Sequence, residues 1–177
     1  STGSISVHPM PDLDGRALMH HAGITLGARS ALILVPEQKI AISLLANALW
    51  VASIERSALT IAAPLRPAPA LAPQACPVKA QRYTGTFNGE AVAGTARFAV
   101  ADGICSATLS ADNMLGKWLE GVSKRKTPSV RVIGIDPGSG FARGALVTPV
   151  GAYELRPAGG DYTAAFGATR SLTIKFE

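Results

Sequence analysis

The stretch SALILVPEQKIAISLLANA at residues 30–48 contains two apolar runs, residues 31–35 and residues 40–45 with Ser43 as the one polar position, joined by a Pro-Glu-Gln-Lys turn segment. Short apolar runs bounded by turn residues predict β-strands that are covered on both faces. This stretch therefore predicts a hairpin of two central strands, in a sheet that lies between two layers of helices.

Two more strands are predicted upstream of this hairpin, and one helix downstream. Residues 4–8 alternate between apolar and polar side chains, residues 11–15 have turn chemistry, and residues 16–22 read as extended. Residues 48–63 change to a helical period with one apolar face. No other segment predicts a helix for the second side of the sheet, so we expect residues 1–63 to be the C-terminal portion of a larger domain.

The rest of the chain predicts a linker and a barrel. Residues 64–79 hold five of the twelve prolines and read as a semi-rigid linker. Residues 80–177 are rich in glycine and in short β-prone runs separated by turn signals such as Asn88-Gly89, a pattern typical of an antiparallel barrel. The predicted strands lie at residues 83–88, 95–100, 104–109, 130–135, 144–148, 152–155, 162–166 and 171–176. The predicted fold class is α+β: an antiparallel sheet with one covering helix, then an all-β, lipocalin-like barrel.

Composition excludes several classes of function. The net charge of +5 is scattered, and the one basic run, residues 124–126, lacks the interleaved aromatic residues of a nucleic-acid surface. No run of 18 or more apolar residues predicts a membrane span. Cys76 and Cys105 lack metal-ligand spacing, so no metal or other cofactor is expected. The sequence leaves open whether these cysteines are paired.

The stretch MHHAGITLG at residues 19–27 carries the candidate site. Together with the hairpin and the helix that follow it, this stretch resembles the C-terminal third of the serine β-lactamase and penicillin-recognising enzyme superfamily. The likeness is to its class C-like esterases and D-aminopeptidases, whose third signature is His-x-Gly in place of Lys-Thr-Gly. The superfamily also includes members with a β-barrel appended after the helix.

The resemblance implies roles for three residues. His21 would hold a substrate carboxylate or hydrogen-bond the groups that activate the nucleophile, and Gly23 would leave room for substrate along the strand edge. The backbone N–H of Ile24 would be the second donor of the oxyanion hole. Because histidine need not be charged at pH 7, the resemblance implies an amidase, peptidase or esterase rather than an efficient β-lactamase.

A structural interpretation of the histidines stays open, since adjacent histidines in a strand are commonly packed or surface residues. His20 should point to the opposite face from His21 and have no catalytic part. His8 likewise reads as a strand residue.

The nucleophile of this family is missing from the sequence. Its Ser-x-x-Lys form occurs once, at residues 123–126, in what reads as a polar loop and in the wrong order relative to His21. No Tyr-x-Asn or Ser-x-Asn second motif occurs. We therefore expect a preceding polypeptide to carry the nucleophile, with a two-chain enzyme produced by autoproteolysis. Ser1 could mark the cleavage or be an N-terminal nucleophile, whereas an expression boundary or trimming by another protease would give it neither role.

The expected function is that of a serine hydrolase subunit acting on a small amide, ester or peptide substrate in the periplasm or outside the cell. An oligomer is left open. The alternative is a non-catalytic barrel that binds a ligand, with an interior lined by apolar side chains that could equally just fill it: Phe87, Phe98, Ile104, Leu146 and Phe166.

Overall fold

The structure is a computed structural model that describes residues 6–48, 54–67, 76, 79–101, 103–127, 129–136, 140–167 and 169–177. These residues form a four-stranded antiparallel sheet, a closed eight-stranded antiparallel barrel and two short α-helices. The α+β class with an all-β barrel is thereby confirmed. In the described part of the chain, neither helix is long and apolar enough to cross a membrane.

The sheet has the order β1-β2-β3-β4, with β1 at His8–Pro11, β2 at Ala17–Thr25, β3 at Ala28–Val35 and β4 at Ile40–Ala46. The predicted hairpin at residues 30–48 is present as β3 and β4. The first strand was placed too early in the sequence, because Ser6 and Val7 are not in a strand and β1 begins at His8. Proline cannot donate to a strand ladder, so Pro9 and Pro11 suit β1 to the edge of the sheet.

The two faces of this sheet differ. On one face, Ala31, Ile33 and Val35 of β3 are buried and pack with helix α1, Ile54–Ala62, which is the one covering helix that the sequence predicts. On the other face the side chains of β4 are exposed, and Leu45 has 82% of its surface accessible. The described residues cover only this one face, as the single predicted helix implies, and a second helical layer stays a prediction.

The barrel is a meander in which each strand pairs with the next, and the last strand returns to the first through Leu172 opposite Phe87. Closure leaves no unpaired sheet edge. All eight predicted strands are present, most of them longer than expected. They are β5 (Arg82–Phe87), β6 (Glu90–Ala101), β7 (Ile104–Ser110), β8 (Ser129–Asp136), β9 (Gly140–Thr148), β10 (Gly151–Ala158), β11 (Asp161–Ala165) and β12 (Ser171–Phe176).

Buried side chains fill the interior of the barrel. Phe87, Leu146 and Phe166 belong to this core and Phe98 packs against it, but Ile104 packs instead against the core cluster of the sheet. Filling by side chains is the usual outcome in a barrel of this size. In this core, the side chains with no accessible surface are Tyr83, Ala107, Leu109, Leu115, Leu119, Val132, Leu146, Leu155, Leu172 and Ile174.

Helix α2, Met114–Ser123, lies between β7 and β8 and was not predicted. Asn113 caps its N-terminus, because the Asn113 side-chain oxygen accepts a 3.0 Å hydrogen bond from the Leu115 N–H. Leu115 and Leu119 are buried in the barrel core, and the Trp118 ring lies 5.0 Å from that of Phe166. The helix therefore packs its apolar face into the core of the barrel.

The sheet and the barrel share a core. Leu18 and Ile33 of the sheet and Leu59 of α1 cluster with Ile133 and Val147, which point outward from the barrel wall. Polar contacts add to this packing, since Arg56 donates a 2.9 Å hydrogen bond to the Thr148 carbonyl.

A disulfide answers the question that the sequence left open. Cys76 and Cys105 are bonded, with their Cα atoms 5.1 Å apart. The bond ties the segment between α1 and the barrel to β7.

Candidate functional site

His21 and Gly23 lie together on the open face of the sheet. They are alternate residues of β2, opposite Leu32 and Ser30 of β3. A Cβ at position 23 would come 2.7 Å from the Ser30 hydroxyl oxygen, closer than real Cβ contacts allow. The glycine therefore leaves room for Ser30, which is a packing reason for its presence in addition to the role that the family resemblance implies. Cross-strand register, which the sequence alone does not give, adds Ser30 to this face.

The pairing of β1 with β2 shows where the main chain of Ile24 points. Pro9 lies opposite Met19 and Pro11 opposite Ala17. Because proline has no N–H, these cannot be the hydrogen-bonded pairs of the ladder. The hydrogen-bonded pairs are therefore those of His20 and Leu18 with β1. Main-chain groups alternate in direction along a strand, so the N–H groups of Ala22 and Ile24 point to the same edge as that of His20.

The hairpin between β2 and β3 supports the same direction. Its loop has two residues, Leu26 and Gly27, with Gly27 at a φ of 85°, and it is closed by Thr25 opposite Ala28. The residues that flank a two-residue loop form a hydrogen-bonded pair. Thr25 therefore points its main chain at β3, and Ile24 points outward.

The outward-facing groups of Ile24 meet no strand in the described residues. β1 reaches only as far as His8, opposite His20. Beyond that point, the described chain leaves the β2 edge at Ala22 and Ile24 unpaired. An extended peptide or acyl group could form main-chain hydrogen bonds there.

His20 faces the opposite side of β2 from His21, as the strand alternation predicts. Its Nε2 atom is buried and has no hydrogen-bond partner among the described residues. Burial lowers the pKa of His20, and the nearby imidazoles of His21 and His8 lower it further, while the charge of Glu55 acts in the other direction. His20 is therefore mainly neutral at pH 7.

His20 lines a groove of about 790 Å³ between the covered face of the sheet, the start of α1 and the barrel. Glu55 enters from α1, and Tyr153 and Phe166 enter from the barrel side, together with Trp118 of α2. Burial raises the pKa of Tyr153, and the charge of Glu55 raises it further, so the phenol stays protonated. The sequence did not reveal this groove, because its residues are far apart in the chain and no local pattern links them.

The described residues supply no nucleophile of the expected type. Ser123 was expected in a loop but is the last residue of α2, where it is buried. Its hydroxyl accepts a 3.2 Å hydrogen bond from the Arg125 N–H and donates to the Arg125 carbonyl. Its place at the C-terminal end of a helix is the reverse of what the family motif requires. Ser1, the other candidate, lies outside the described residues.

Within the described ranges, no group of three or more His, Cys, Asp or Glu side chains is placed so that it could hold a metal ion. Comparison with known proteins gives no match: no family model, no curated protein and no solved structure matches the chain.

Proposed function

We propose that this chain forms one wall of the acyl-transfer site of a β-lactamase-like serine hydrolase. The substrate is a small amide, ester or peptide, and the nucleophilic serine is on a preceding segment or chain. The observation that carries the proposal is the edge of β2 that no strand of the described residues pairs, where the outward N–H of Ile24 follows His21 and Gly23.

In the proposed reaction the acyl group lies along this edge. The serine hydroxyl attacks the carbonyl carbon and gives its proton to a base, the amine or alcohol leaves with a proton, and water then hydrolyses the acyl-serine. The Ile24 N–H donates to the carbonyl oxygen as negative charge develops on it, which is worth a few kcal/mol of barrier. His21, on the adjacent open face, holds the substrate or the activating groups.

The exposed apolar side chains on the open face of the sheet support the proposal that another segment covers it. Leu45 is 82% exposed, and Leu26 at the tip of the β2–β3 hairpin is fully exposed. Leu32 and Leu34 of β3 are half-buried on the same face as His21. Apolar patches of this kind mark surfaces that another chain or segment covers. The segment that brings the nucleophile to His21 would cover this face, and cleavage between the two would leave a two-chain enzyme.

The disulfide supports a location outside the cytoplasm. Cys76 and Cys105 are joined, and such bonds persist mainly in the periplasm or outside the cell. We therefore propose that the hydrolase is periplasmic or secreted.

The test is labelling of the protein, isolated from its native source, with a fluorophosphonate probe that reacts with activated serines. A labelled polypeptide that contains or co-purifies with this chain is the expected result. Intact-mass analysis of the same sample shows whether labelled serine and His21 are on one chain or two. An unlabelled sample that binds an apolar ligand saturably would instead support the non-catalytic barrel.

Two substitutions at Ile24 separate its N–H from its side chain. Ile24→Ala removes the side chain but keeps the N–H, whereas Ile24→Pro removes both, without breaking a bond to β3. We expect Ile24→Pro to lower kcat about 100-fold or more and Ile24→Ala to lower it little. Equal activity of the two variants, or full activity of His21→Ala, would contradict the proposed site.

A further inference from the structure

The groove between the sheet and the barrel has the form of a small-molecule site. At about 790 Å³ it falls within the size range of ligand pockets, and it lies where two structural units meet. Its walls are mainly apolar, with Val150, Ala152 and Phe166 from the barrel side and Ala22 from β2. A few polar groups converge on it, as in most ligand pockets.

The two carboxylates that line the groove, those of Glu55 and Glu154, differ in their partners. Glu154 is neutralised by Arg156, whose Nε and Nη2 atoms donate hydrogen bonds of 2.8 and 2.6 Å to one carboxylate oxygen. His20 is mainly neutral and Tyr153 is protonated, as described above. Within the described chain the Glu55 carboxylate accepts no side-chain hydrogen bond and forms no ion pair. Of the two carboxylates that line the groove, Glu55 is therefore the one without a side-chain partner among the described residues.

The polar side chains that line the groove together with Glu55 offer hydrogen-bond acceptors that suit an ammonium group. Glu55 offers a carboxylate, neutral His20 offers Nε2 when its proton is on Nδ1, and the Tyr153 oxygen offers a lone pair. The Nε2 atom is buried and without a partner among the described residues, a state that costs free energy. It has almost no accessible surface, so a ligand's N–H reaches it only when the imidazole turns toward the groove. A primary ammonium has three N–H donors and no acceptor.

We propose that this groove binds a small primary amine, with the ammonium group on Glu55, His20 and Tyr153 and an apolar body against Phe166 and Val150. Trp118 contributes an edge of the wall rather than a cation site, because the Arg170 guanidinium already lies 5.5 Å from its ring centroid.

The amine site is distinct from the proposed acyl-transfer site. It lies on the α1 side of β2, whereas His21 faces the open side and the Ile24 N–H faces the edge. All of its polar residues are in this chain. Binding can therefore be measured without the missing nucleophile, and its outcome does not depend on whether the chain belongs to a hydrolase.

The test is isothermal titration calorimetry of the purified chain with benzylamine, benzyl alcohol and phenylacetate, which share a ring and differ in charge. We expect saturable binding of benzylamine, at least about tenfold weaker binding of the alcohol, and none of phenylacetate. Equal affinity for the amine and the alcohol, or no saturable binding of the amine, would overturn the proposal without any variant.

Substitution of Glu55 then tests whether its negative charge binds the amine. Glu55→Gln keeps the shape of the side chain, and we expect it to weaken benzylamine binding about tenfold or more while leaving benzyl alcohol unchanged. Glu37→Gln is the matched control, since Glu37 is an exposed glutamate in the turn between β3 and β4. The same loss in both variants, or none in Glu55→Gln with its circular dichroism intact, would contradict the assignment.

Discussion

The Arg66 Nη1 atom donates a 2.6 Å hydrogen bond to Oδ2 of Asp12, and both side chains are buried. Asp12 also accepts hydrogen bonds from the backbone N–H groups of Asp14 and Arg16, and Arg16 Nε reaches the same carboxylate at 3.1 Å. Arg66 comes just after α1, whereas Asp12 opens the β1–β2 turn. The pair therefore holds the segment that follows α1 against the turn at the edge of the sheet.

Replacing Asp12 by asparagine should destabilise the fold strongly, because it leaves the buried Arg66 charge without its partner. We expect a loss of about 3–5 kcal/mol in the free energy of unfolding, measured in urea. Asp14→Asn is the matched control. Asp14 is partly exposed and its ion pairs to Arg16 and Arg131 are longer, at 3.6 and 3.7 Å, so its loss should cost about 1 kcal/mol or less. Similar losses in the two variants would show that the buried pair is not special.

Two glycines of α2 should respond to alanine with opposite signs. A Cβ at Gly116 would collide with the carbonyl oxygen of Ala111, whereas a Cβ at Gly121 would meet nothing within 4 Å. Gly121→Ala should therefore stabilise the protein by about 1 kcal/mol through helix propensity. Gly116→Ala should destabilise it by about 1–3 kcal/mol. Thermal unfolding of both variants checks this, and a stabilised Gly116→Ala would show that α2 is packed differently.

Acid should destabilise the fold through His20. Burial lowers its pKa in the folded protein below the ordinary 6.5, with His8 and His21 acting in the same direction and Glu55 against it. Below pH 6.5 the unfolded chain takes up a proton that the folded protein does not, so protonation favours unfolding until the folded pKa is passed. His20→Gln does not titrate at this position.

The corresponding measurement is the free energy of unfolding of the wild type and of His20→Gln at about pH 7.5 and about pH 5. The wild type should lose stability relative to the variant on acidification. A difference that stays constant, or a wild type that gains relative stability in acid, would contradict the placement of His20 in the groove.

The disulfide should contribute through the loop that it closes. Cys76 and Cys105 are separated by 29 residues, for which loop closure predicts about 3–4 kcal/mol. Dithiothreitol should lower the thermal midpoint of the wild type. The Cys76→Ser variant should show this lowered midpoint both with and without the reductant. A wild type insensitive to complete reduction, verified by thiol titration, would be the contrary result.

Local signals were enough to find the barrel. The Asn88-Gly89 pair has φ values of 52° and 84°, the left-handed geometry that such pairs favour in tight hairpins, and it separates β5 from β6 as expected. Helix α2 was missed because it is short and contains Gly116 and Gly121, which weaken its helical pattern. Burial of Leu115 and Leu119 in the barrel supplies the stability that local propensity does not.

The candidate sites could likewise be predicted from the sequence only in part. Alternation along β2 places His21 and Gly23 on one face and His20 on the other, which a sequence can show. The outward direction of the Ile24 N–H depends on how Pro9 and Pro11 pair with β2, and that register is set by tertiary structure. The groove around Glu55 is built from β1, β2, α1, α2 and three barrel strands, so only the folded chain brings Glu55, His20 and Tyr153 to one groove.

The outward-facing side chains of the barrel wall carry a consequence for any attempt to divide this protein. Ile133, Ala145, Val147 and Ala152 are nearly inaccessible because the sheet and α1 lie against them. A barrel produced alone from residue 80 onward would expose these side chains to water as a continuous apolar strip. Such a fragment should form aggregates or dimers through that strip, and charged residues at 145 and 147 would be needed to keep it monomeric.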